Sequence, residues 1–595
     1  MPNILSHDIT RRLRPDGPFH IPPGGLPIGS RVTLTLSHSE LQPQIFFTNR
    51  RDQYTWQVVM SPAGKDTWQA EVQMPSEMTI VDYYFMVGER RIEERVQVEG
   101  HNRPVYGAWT NRPFKIAVYD PERMPAEWTQ GMVVYQIFPD RFAKVQSDDE
   151  VKAKLRGVYG HAPLFKTWDE TPEFPPLGRD FFGGDLRGVI EKLDYLQDLG
   201  VDTIYFNPIF KATANHRYEA VDFREIDPML GTDADFDELV EGIHQRGMRL
   251  VLDAVFNHCS SDSIYFDVVN QYGNGAYANQ ESPYYRWFRF EEWPTKYDGW
   301  YGHGFMPEFV ECPEMVEYFC GVDGVTEYWL KRGIDGWRAD VAFDNTEIFW
   351  RQFRRAIDRA KPGAWSISEE WRDATHYMLG DEFNGTMNYR FAWAVFGFLA
   401  TDQLTPSLLD DRLMTWMRDT PPPAIKSQMN MLDSHDTERV MAFCKGDRAR
   451  YLQIFAFHLA YVGAPNIYYG SETALEGTNA EDGRRPMPWD HLDQELHAYF
   501  RHLMNYRKHS QLLRHGDVET VVADDAQRVY VFLRSMGDER LYAAFNASDA
   551  EATVQFPAEG TWQDVIGTHP AVQAENGVLT ITLNPRGAAW YIPAE

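Results

Sequence analysis

Cysteine is scarce in this chain, and its few copies are widely separated. The 595 residues include only Cys259, Cys312, Cys320 and Cys444, and no two of them form a CxxC pair. Such a set is too small for a disulfide scaffold and lacks the spacing of a zinc motif. We therefore expect reduced thiols and a fold that depends on its apolar core.

Long apolar runs are missing as well. The N-terminal sequence MPNILSHDIT has no basic stretch followed by an apolar run, and no segment is apolar over the length that spans a bilayer. These absences argue against a secretory leader and against a membrane protein. We expect a cytoplasmic location.

Basic residues are fewer than acidic residues in this chain. Lys and Arg number 58 against 87 Asp and Glu, which gives a net charge of -29. That charge repels a polyphosphate backbone and an anionic membrane surface, so neither nucleic acid nor membrane is an expected partner. Aromatic residues are abundant at 14%, and although most must pack in the core, flat rings also suit stacking on sugars.

The strand patterns at the two ends of the chain differ from the pattern in the middle. Apolar and polar residues alternate in the segment 32–36, which predicts an N-terminal β-sandwich over residues 1–122. The same alternation at 579–583 predicts a C-terminal β-sandwich over residues 509–595. A chain of this length is expected to hold several such units.

Between these ends, residues 123–508 alternate short apolar strands with helical segments, which predicts a closed (β/α)8 TIM barrel. An aromatic-rich insertion at 257–315, after the third strand, predicts a subdomain that walls one side of a cleft. The expected strands are MVVYQIFP from Met132, DTIYF from Asp202, RLVLDAVF from Arg249, IDGWRAD from Ile334, AWSIS from Ala364, GTMN from Gly385, QMNMLDS from Gln428 and PNIYYG from Pro465.

Three acids, Asp340, Glu369 and Asp436, each follow a predicted barrel strand. Cleavage of an acetal between sugars needs a proton donor and a negative charge beneath the forming oxocarbenium ion, and two facing carboxyl groups supply both. We expect Asp340 as nucleophile, kept ionised by Arg338, which shares its strand face. Neighbouring anions favour the protonated form of Glu369, the expected acid and later base.

Other interpretations of these acids remain open at this point. Each acid alone is equally typical of a helix N-cap or a solvated loop, and only their joint placement at strand ends favours catalysis. Glu370 competes with Glu369, since period-two alternation lets only one of them point into the barrel mouth. His216, His258 and His435 cluster at the same rim, where imidazoles suit sugar hydroxyls, although a lone histidine is more often structural.

Several motifs together resemble the α-amylase family, glycoside hydrolase family 13, and within it the neopullulanase, cyclomaltodextrinase and maltogenic amylase group. They run through the whole barrel, so the resemblance rests on no single one of them. The matching stretches are YQIFPDRF at Tyr135, NHRYEAVDF at Asn215, DAVFNH at Asp253, GIDGWRADVA at Gly333, SEEW at Ser368, MNYRF at Met387 and SHDTER at Ser434.

The resemblance implies roles for individual residues. It assigns the proton donor to Glu369, the nucleophile to Asp340 and the stabiliser of the transition state to Asp436. It implies a retaining mechanism with the two working carboxyl groups about 5 to 5.5 Å apart. It also implies that the N-terminal sandwich takes part in a homodimer. The substrate-binding residues it implies are His216, Tyr218, His258, Arg338, His435 and Arg484.

The chain departs from the family pattern at two functional sites. Lys144, Val145 and Gln146 stand where the group usually has an Asn/Asp-rich calcium loop, so we expect no required cofactor; Gly183 and Asp185 are the remaining calcium candidates. On the acceptor side, MPEFV from Met306 and the pair Phe343 and Asp344 differ from the group's usual residues. The sugar-binding aspartate expected before Arg484 is replaced by Ala480, with Asp482 as a substitute.

We therefore predict a retaining hydrolase of α-1,4-glucosidic bonds, with α-1,6 bonds as further targets and with transglycosylation. The expected substrates are cyclodextrins, maltooligosaccharides, pullulan or starch. One alternative is a glucosyl-transferring or isomerising relative that acts on maltose, sucrose or trehalose. Another, of a different class, is a noncatalytic glucan-binding barrel, which would normally have lost one of the three acids.

Overall fold

The computed structural model of the protein describes residues 25–37, 39–101 and 103–594. The N-terminal sequence MPNILSHDIT, from which we judged the absence of a leader, lies outside these ranges, as does the rest of the segment 1–24 of the predicted N-terminal sandwich. In the described part of the chain, no helix has the length and apolar character needed to cross a bilayer.

Two β-sheets enclose an apolar core at the N-terminal end. Alternation buries Val32, Leu34 and Leu36 against Ile45 and Phe47 of the facing sheet. The larger sheet comprises Leu26–Pro27, Gln44–Asn49, Thr55–Val59, Thr79–Val87, Arg90–Ile92 and Phe114–Tyr119; the smaller comprises Arg31–Ser37, Ser61–Gly64 and Thr67–Gln73; a separate pair joins Glu94–Gln97 to Trp109–Arg112. We call this part the N-terminal unit.

Eight parallel strands form a closed barrel, which confirms the predicted fold class. The first strand pairs with both the second and the last, as Val134 is in register with Thr203 and Asn466. All eight expected segments supply a strand. In order they are Val134–Ile137, Thr203–Phe206, Arg249–Ala254, Gly336–Ala339, Trp365–Ser368, Gly385–Asn388, Met429–Asn430 and Ala464–Tyr468.

Helices cover the outside of the barrel, and their ends follow capping rules. Thr232 and Asp235 form a reciprocal capping box, and Asp493 accepts from the N–H of Leu496. The longer helices are Asp148–Lys154, Leu193–Leu199, Asp233–Gln245, Pro313–Cys320, Val325–Lys331, Glu347–Ala360, Tyr389–Val395, Pro406–Asp419, Arg448–Ala460 and Gln494–His509; shorter ones are Pro139–Phe142, Leu186–Glu191, Pro422–Ile425, Val440–Phe443 and Gln511–His515.

Two excursions from the barrel form walls at its mouth. After the second strand, Phe210–Ala212 pairs with Ala220–Ile226, and the turn between them carries His216 and Tyr218. After the third strand, the predicted insertion forms a small subdomain around buried Tyr265, with the short strands Phe290–Glu292 and Lys296–Tyr297. It is tied back to the barrel where His258 bridges to Glu308.

The C-terminal end forms a second sandwich that packs on the barrel. Phe457, from the helix Arg448–Ala460, lies with its ring 5.4 Å from that of Phe532 and 4.8 Å from that of Phe545. One sheet comprises Asp517–Asp524, Val529–Met536, Glu539–Asn546, Ala588–Pro593, Thr561–Asp564 and Val572–Gln573, and the other pairs Ala552–Pro557 with Val578–Leu583.

A group of buried ion pairs joins the N-terminal unit to the barrel. Lys115 contacts Asp373 and lies 3.3 Å from Asp419, and Arg112 lies 2.9 Å from Asp419. Although burial opposes it, the Lys115, Arg390 and Arg112 charges hold the pKa of Asp373 below its usual value. We call this group the interface ion cluster; its members are Glu94, Arg112, Lys115, Asp373, Arg390, Arg418 and Asp419.

Candidate active site

One buried guanidinium contacts three carboxylates at the barrel mouth. Nη1 of Arg338 donates to Oδ1 of Asp253 and to Oδ1 of Asp340, both at 2.7 Å. Its Nη2 lies 2.8 Å from Oε2 of Glu369. Strand register explains the arrangement, because Asp253 stands opposite Arg338 on the neighbouring parallel strand and Asp340 follows it by two residues. A single cation therefore links Asp340 to Glu369.

Two further donors fix the Glu369 carboxylate. The backbone N–H of Val341 donates to Oε2 at 2.8 Å, and the indole Nε1 of Trp371 donates to Oε1 at 3.0 Å. The competing residue Glu370 accepts instead from the backbone N–H of Arg372. Of the two neighbouring acids, Glu369 is the one directed into the cleft.

The turn after the fourth strand is strained. Val341 has φ 37° and ψ 51°, the left-handed region that a β-branched residue rarely enters, at a cost of about 1–3 kcal/mol. This conformation directs the N–H of Val341 toward Glu369. Through this hydrogen bond, the strained turn connects Val341, the residue next to Asp340, to Glu369 at the end of the neighbouring strand.

The third acid lies beside a neutral histidine. His435 and Asp436 follow the short strand Met429–Asn430, and Nε2 of His435 is 3.2 Å from Oδ2 of Asp436. The amide of Gln136 donates to Nδ1 of His435 at 3.0 Å, so the neutral ring carries its proton on Nε2. Burial, followed by the nearby guanidinium charges, holds the pKa of His435 well below its usual value.

Tyr218 connects the second-strand excursion to the acids. Its hydroxyl donates to Oδ2 of Asp253 at 2.9 Å, and its ring stacks on His435 with centroids 5.2 Å apart. His216 and His258 flank it, and Nε2 of His258 contacts the Tyr218 carbonyl at 3.0 Å. Burial lowers the pKa of His216 to about 4 and that of His258 to about 3. Both rings are therefore neutral near pH 7.

Negative charge exceeds positive charge around Asp340. Burial raises the pKa of Asp340 well above its usual value; Arg338 lowers it, while Glu369, Asp253 and Asp436 raise it further. From the pair of Arg338 and Asp340 alone, we expected an ionised Asp340 carboxylate. The structure gives the opposite net direction, because Arg338 is shared with Asp253 and Glu369.

Asp436 also retains a proton more readily than a free aspartate. Burial and the charge of Glu369 raise its pKa to about 7, against the opposing charges of Arg484 and Arg338. Its side chain still keeps 30% of its surface exposed to the cleft, so this proton exchanges with water. We call Asp253, Asp340, Glu369 and Asp436 the acid cluster. Near neutral pH, a fraction of the molecules therefore carries a bound proton within this cluster.

The candidate residues surround one pocket of about 240 Å³. His216, Tyr218, His258, His435 and Arg484 line it together with the three acids, whereas Arg338 lies beneath them and is fully buried. Larger hollows occur elsewhere on the surface, but none of those described contains this combination of acids. The full lining is His216, Tyr218, His258, Trp300, Met306, Asp340, Val341, Glu369, His435, Asp436, Glu481 and Arg484.

Sequence reasoning missed Trp300 and Glu481 in this lining, named Met306 only as the start of the acceptor-side stretch MPEFV, and did not single out Asp253. Trp300 stacks on His258 with centroids 5.0 Å apart, so the insertion does wall the cleft. The motif DAVFNH contained Asp253, and its position opposite Arg338 follows from strand register. Strand register could therefore have identified Asp253 from the sequence. Trp300 and Met306 lie outside the strands and longer helices, where no periodic pattern predicts the direction of a side chain.

The acid that accompanies Arg484 is Glu481. Nη1 of Arg484 lies 2.9 Å from Oε2 of Glu481, and its Nε donates to the carbonyl of His435 at 2.9 Å. Asp482, the substitute we considered for the missing aspartate at Ala480, accepts instead from Arg485 at 2.6 Å and is not in the pocket lining. Glu481 directly precedes the 3-10 turn Asp482–Arg484 and stands one position after Ala480, where we expected the aspartate.

The calcium candidates do not fit a metal ion. Oδ2 of Asp185 accepts from the N–H groups of Val145 and Gln146 at 3.0 and 2.9 Å, and its Oδ1 accepts from the N–H of Gly188. The carbonyl of Gly183 accepts from the Gln146 side chain at 2.9 Å. Hard cations need several free oxygen ligands, and these oxygens already accept from N–H groups. No cluster of three metal-binding side chains occurs among the described residues.

Comparison with known proteins gives two family matches. A model described as "Alpha amylase, catalytic domain" matches residues 136–538, and one described as "Maltogenic Amylase, C-terminal domain" matches residues 518–590. The first covers the eight barrel strands apart from the start of the first, together with the predicted insertion. The second covers most of the C-terminal sandwich.

Individual relatives support the same grouping. A cyclomaltodextrinase from Geobacillus thermopakistaniensis is 34% identical over 90% of each chain, and an intracellular maltogenic amylase from Bacillus subtilis is 36% identical over 71% of this chain and 69% of its own. An amylopullulanase from Thermoanaerobacter thermohydrosulfuricus is 33% identical over 89% of this chain, which spans only 41% of that protein. The solved type III pullulan hydrolase from Thermococcus kodakarensis superimposes with a TM-score of 0.72 at 27% identity, over 96% of this chain and 98% of its own.

Proposed function

The chain belongs to the α-amylase family of glycoside hydrolases, and from this premise we propose that it hydrolyses α-1,4-glucosidic bonds with retention of configuration. The observation that carries the proposal is the pocket in which Asp340, Glu369 and Asp436 meet over the Arg338 guanidinium. Membership of the family also agrees with the resemblance drawn from the barrel motifs.

Asp340 is the proposed nucleophile. Its carboxylate attacks the anomeric carbon of the bound glucose unit, and the bond to the leaving oxygen breaks as a glycosyl ester forms. Asp340 must be ionised for this step. The raised pKa of Asp340 means that the proton shared within the acid cluster has to reside elsewhere when the substrate is bound.

Glu369 is the proposed acid and base. It donates a proton to the leaving oxygen, and after the leaving sugar departs it removes one from the water that hydrolyses the ester. Val341 and Trp371 hold one carboxylate oxygen each, so the orientation of Glu369 is set before substrate arrives. Such preorganisation lowers the cost of reaching the transition state.

The rest of the pocket is proposed to bind the sugar that is cleaved. Asp436 accepts from its hydroxyl groups as the ring distorts, and neutral His435 and His258 donate or accept as their tautomers allow. Tyr218 offers a ring face for stacking. Arg484, held by Glu481, lines the same pocket and lies 3.9 Å from Oδ1 of Asp436.

The proposed substrates are cyclodextrins, maltooligosaccharides, pullulan and starch, with some α-1,6 cleavage and glycosyl transfer. The relatives named cyclomaltodextrinase, maltogenic amylase and amylopullulanase support this range. The aromatic residues Trp300 and Phe343 beside the cleft favour a sugar over water as acceptor, since each presents an apolar ring. We further propose that no metal is required.

Location and assembly are proposals as well. The described cysteines are all free and buried, which suits a reducing compartment, and one relative is named intracellular. A cytoplasmic enzyme fits both observations. A homodimer is supported by the apolar side chains that the N-terminal unit exposes, among them Tyr54 at 63% and Val59 at 51%.

Digestion of β-cyclodextrin, pullulan, starch and maltose side by side tests the proposal. We expect maltose and glucose from cyclodextrin and starch, and panose or maltotriose from pullulan. Asp340→Asn should reduce kcat by about four orders of magnitude or more, as for the loss of a covalent nucleophile. Asp149→Asn, at an acid whose side chain is 99% exposed and lies outside the pocket, is the matched control and should retain the activity.

Other results would reject the assignment. Full activity in Asp340→Asn would remove Asp340 from the mechanism. Isomerised or transferred products from maltose, without hydrolysis of any glucan, would identify a glucosyl-transferring enzyme instead. Binding of cyclodextrin without any turnover would identify a noncatalytic barrel.

A further inference from the structure

A loop of the N-terminal unit reaches the rim of the cleft in the same chain. The loop, residues 98–107, is described except for residue 102 and follows the strand Glu94–Gln97. It is fixed to the barrel at both ends: Gln97 Nε2 donates to the Leu408 carbonyl at 3.0 Å, and the Tyr106 hydroxyl donates to the Trp393 carbonyl at 2.8 Å. We call it the 98–107 loop.

An ion pair within the loop adds a third attachment. Glu99 lies 2.5 Å from Nη2 of Arg390, a member of the interface ion cluster. Arg390 follows Tyr389, whose ring stacks on Trp371 with centroids 3.7 Å apart and planes within 2°. The loop is therefore attached to the same short stretch of barrel that supports the indole beside Glu369.

His101 lies at the end of this loop. Its ring centroid is 5.8 Å from that of Phe343 and 6.4 Å from that of Trp371. Nε of Arg372 donates to its Nδ1 at 3.1 Å. A neutral ring that accepts at Nδ1 must carry its proton on Nε2. Within the described residues, no second hydrogen bond of this ring is found, so the Nε2–H is left as a donor at the rim.

The position of His101 relative to Glu369 decides which sugar it faces. His216, Glu481 and Arg484 form one group of lining residues, in which the charges of Arg484 and Glu481 act on His216. Trp371 contacts a different part of the site: it donates to Glu369 at 3.0 Å, and its ring centroid lies 6.4 Å from that of His101. A general acid stands at the oxygen between the cleaved sugar and its leaving group. The leaving sugars therefore depart past Trp371 and Phe343.

We infer that His101 contacts the first sugar on the leaving-group side, so that the chain's own N-terminal unit forms part of its acceptor site. The Nε2–H donates to a hydroxyl of that sugar, and the Phe343 ring packs against its C–H face. His101 is thus a residue that determines specificity, and it takes no part in proton transfer. This inference rests on the proposed function, because it assumes that Glu369 is the acid.

The test compares two substrates that differ only in what leaves. Maltotriose places a sugar on the acceptor side, whereas α-maltosyl fluoride releases fluoride and leaves that side empty. His101→Ala should lower kcat/KM for maltotriose about tenfold, the effect of losing one hydrogen bond with its packing. The same variant should hydrolyse α-maltosyl fluoride within about twofold of the wild type.

Two further variants make the comparison specific. His101→Gln, which retains an N–H donor, should recover part of the activity on maltotriose. Arg103→Ala changes an exposed residue of the same loop and should leave both substrates unaffected. Thermal unfolding of each variant, measured in parallel, checks that the loop change has not unfolded the protein.

The outcomes separate this inference from the proposed function. An equal loss on both substrates would show that His101 only supports Trp371, and unchanged kinetics on both would show that it contacts no sugar; either result overturns the inference. A wild-type protein that cleaves neither substrate would instead overturn the proposed function, and the inference with it.

Discussion

Arg338 contacts Asp253, Asp340 and Glu369 at once, and this sharing governs the charge state of the cleft. Burial raises the pKa of Asp340 and that of Asp253, and the single charge of Arg338, shared among three carboxylates, does not offset this. Protons in such a group belong to the group as a whole. The acid limb of the rate profile will therefore reflect the cluster more than one residue.

Asp436 gives this charge state a measurable consequence for stability. Its pKa is about 7 in the folded protein and about 3.9 in an unfolded chain, so the folded state binds the extra proton. The stabilisation is present below about pH 4 and is lost as the pH rises toward 7. Asp436→Asn, which mimics the protonated form, should raise Tm at pH 8 by about 2 °C or more and have little effect at pH 4.

Thermal scans of Asp436→Asn at the two pH values check this expectation. Asp149→Asn is a suitable control, because the Asp149 side chain is 99% exposed and its replacement should not change Tm differently at the two values. An Asp436→Asn effect of equal size at pH 4 and pH 8 would contradict the raised pKa.

At the scale of elements, N–H groups occupy the carboxylate oxygens at the start of the helix Leu186–Glu191. Asp185 caps this helix and also accepts from the N–H groups of Val145 and Gln146. The Gln146 side chain joins the carbonyls of Gly183 and Met229, and its Oε1 accepts from Lys154 at 2.8 Å. An amide and an ammonium group thus perform the cross-linking that a cation would perform.

Chelation should accordingly leave the protein unchanged. We expect EDTA to shift Tm by less than about 1 °C, because no oxygen of this set is free to bind a cation. Asp185→Ala should destabilise the protein by about 1–2 kcal/mol through loss of the cap, with or without EDTA. A saturable rise in Tm on adding calcium would show that an ion binds after all.

At the scale of the whole molecule, the interface ion cluster holds two units together. Lys115 is almost fully buried between Asp373 and Asp419. Lys115→Met keeps the chain length and removes the charge, which should lower the free energy of unfolding by about 3 kcal/mol. The loss should begin to shrink below about pH 4, the pKa of an unfolded aspartate, and should continue to shrink as the pH falls toward the depressed pKa of folded Asp373, because that contribution is complete only above about pH 4.

Denaturation followed by tryptophan fluorescence at pH 7 and at about pH 2.5 measures this effect. Arg31→Ala is the control, because its pair with Glu71 is exposed on both sides and contributes little. If Lys115→Met is as stable as the wild type at pH 7, the interface ion cluster does not stabilise the fold. It would then only specify how the N-terminal unit packs on the barrel.

The sequence predicted those features of the fold and the site that depend on the pattern of apolar residues and on strand register. The eight barrel strands follow from short apolar runs between helical segments, and the strands of both sandwiches follow from period-two alternation. The acids at strand ends were found because parallel strands place their carboxyl ends on one rim. Contacts made by irregular backbone could not be predicted, since Trp300, Glu481 and His101 owe their positions to turns and loops without a period. The raised pKa of Asp340 was missed for a related reason, as it depends on how many neighbours share Arg338.

The stretch from Glu369 to Asp373 faces two ways: its first residue points into the pocket and its last pairs with Lys115 of the N-terminal unit. Chimeric proteins that exchange this N-terminal unit for a foreign one would therefore disturb Glu369, four residues before Asp373, unless the graft also brought a cation to the position of Lys115. The accessory sandwich and the catalytic barrel are in this sense not interchangeable parts.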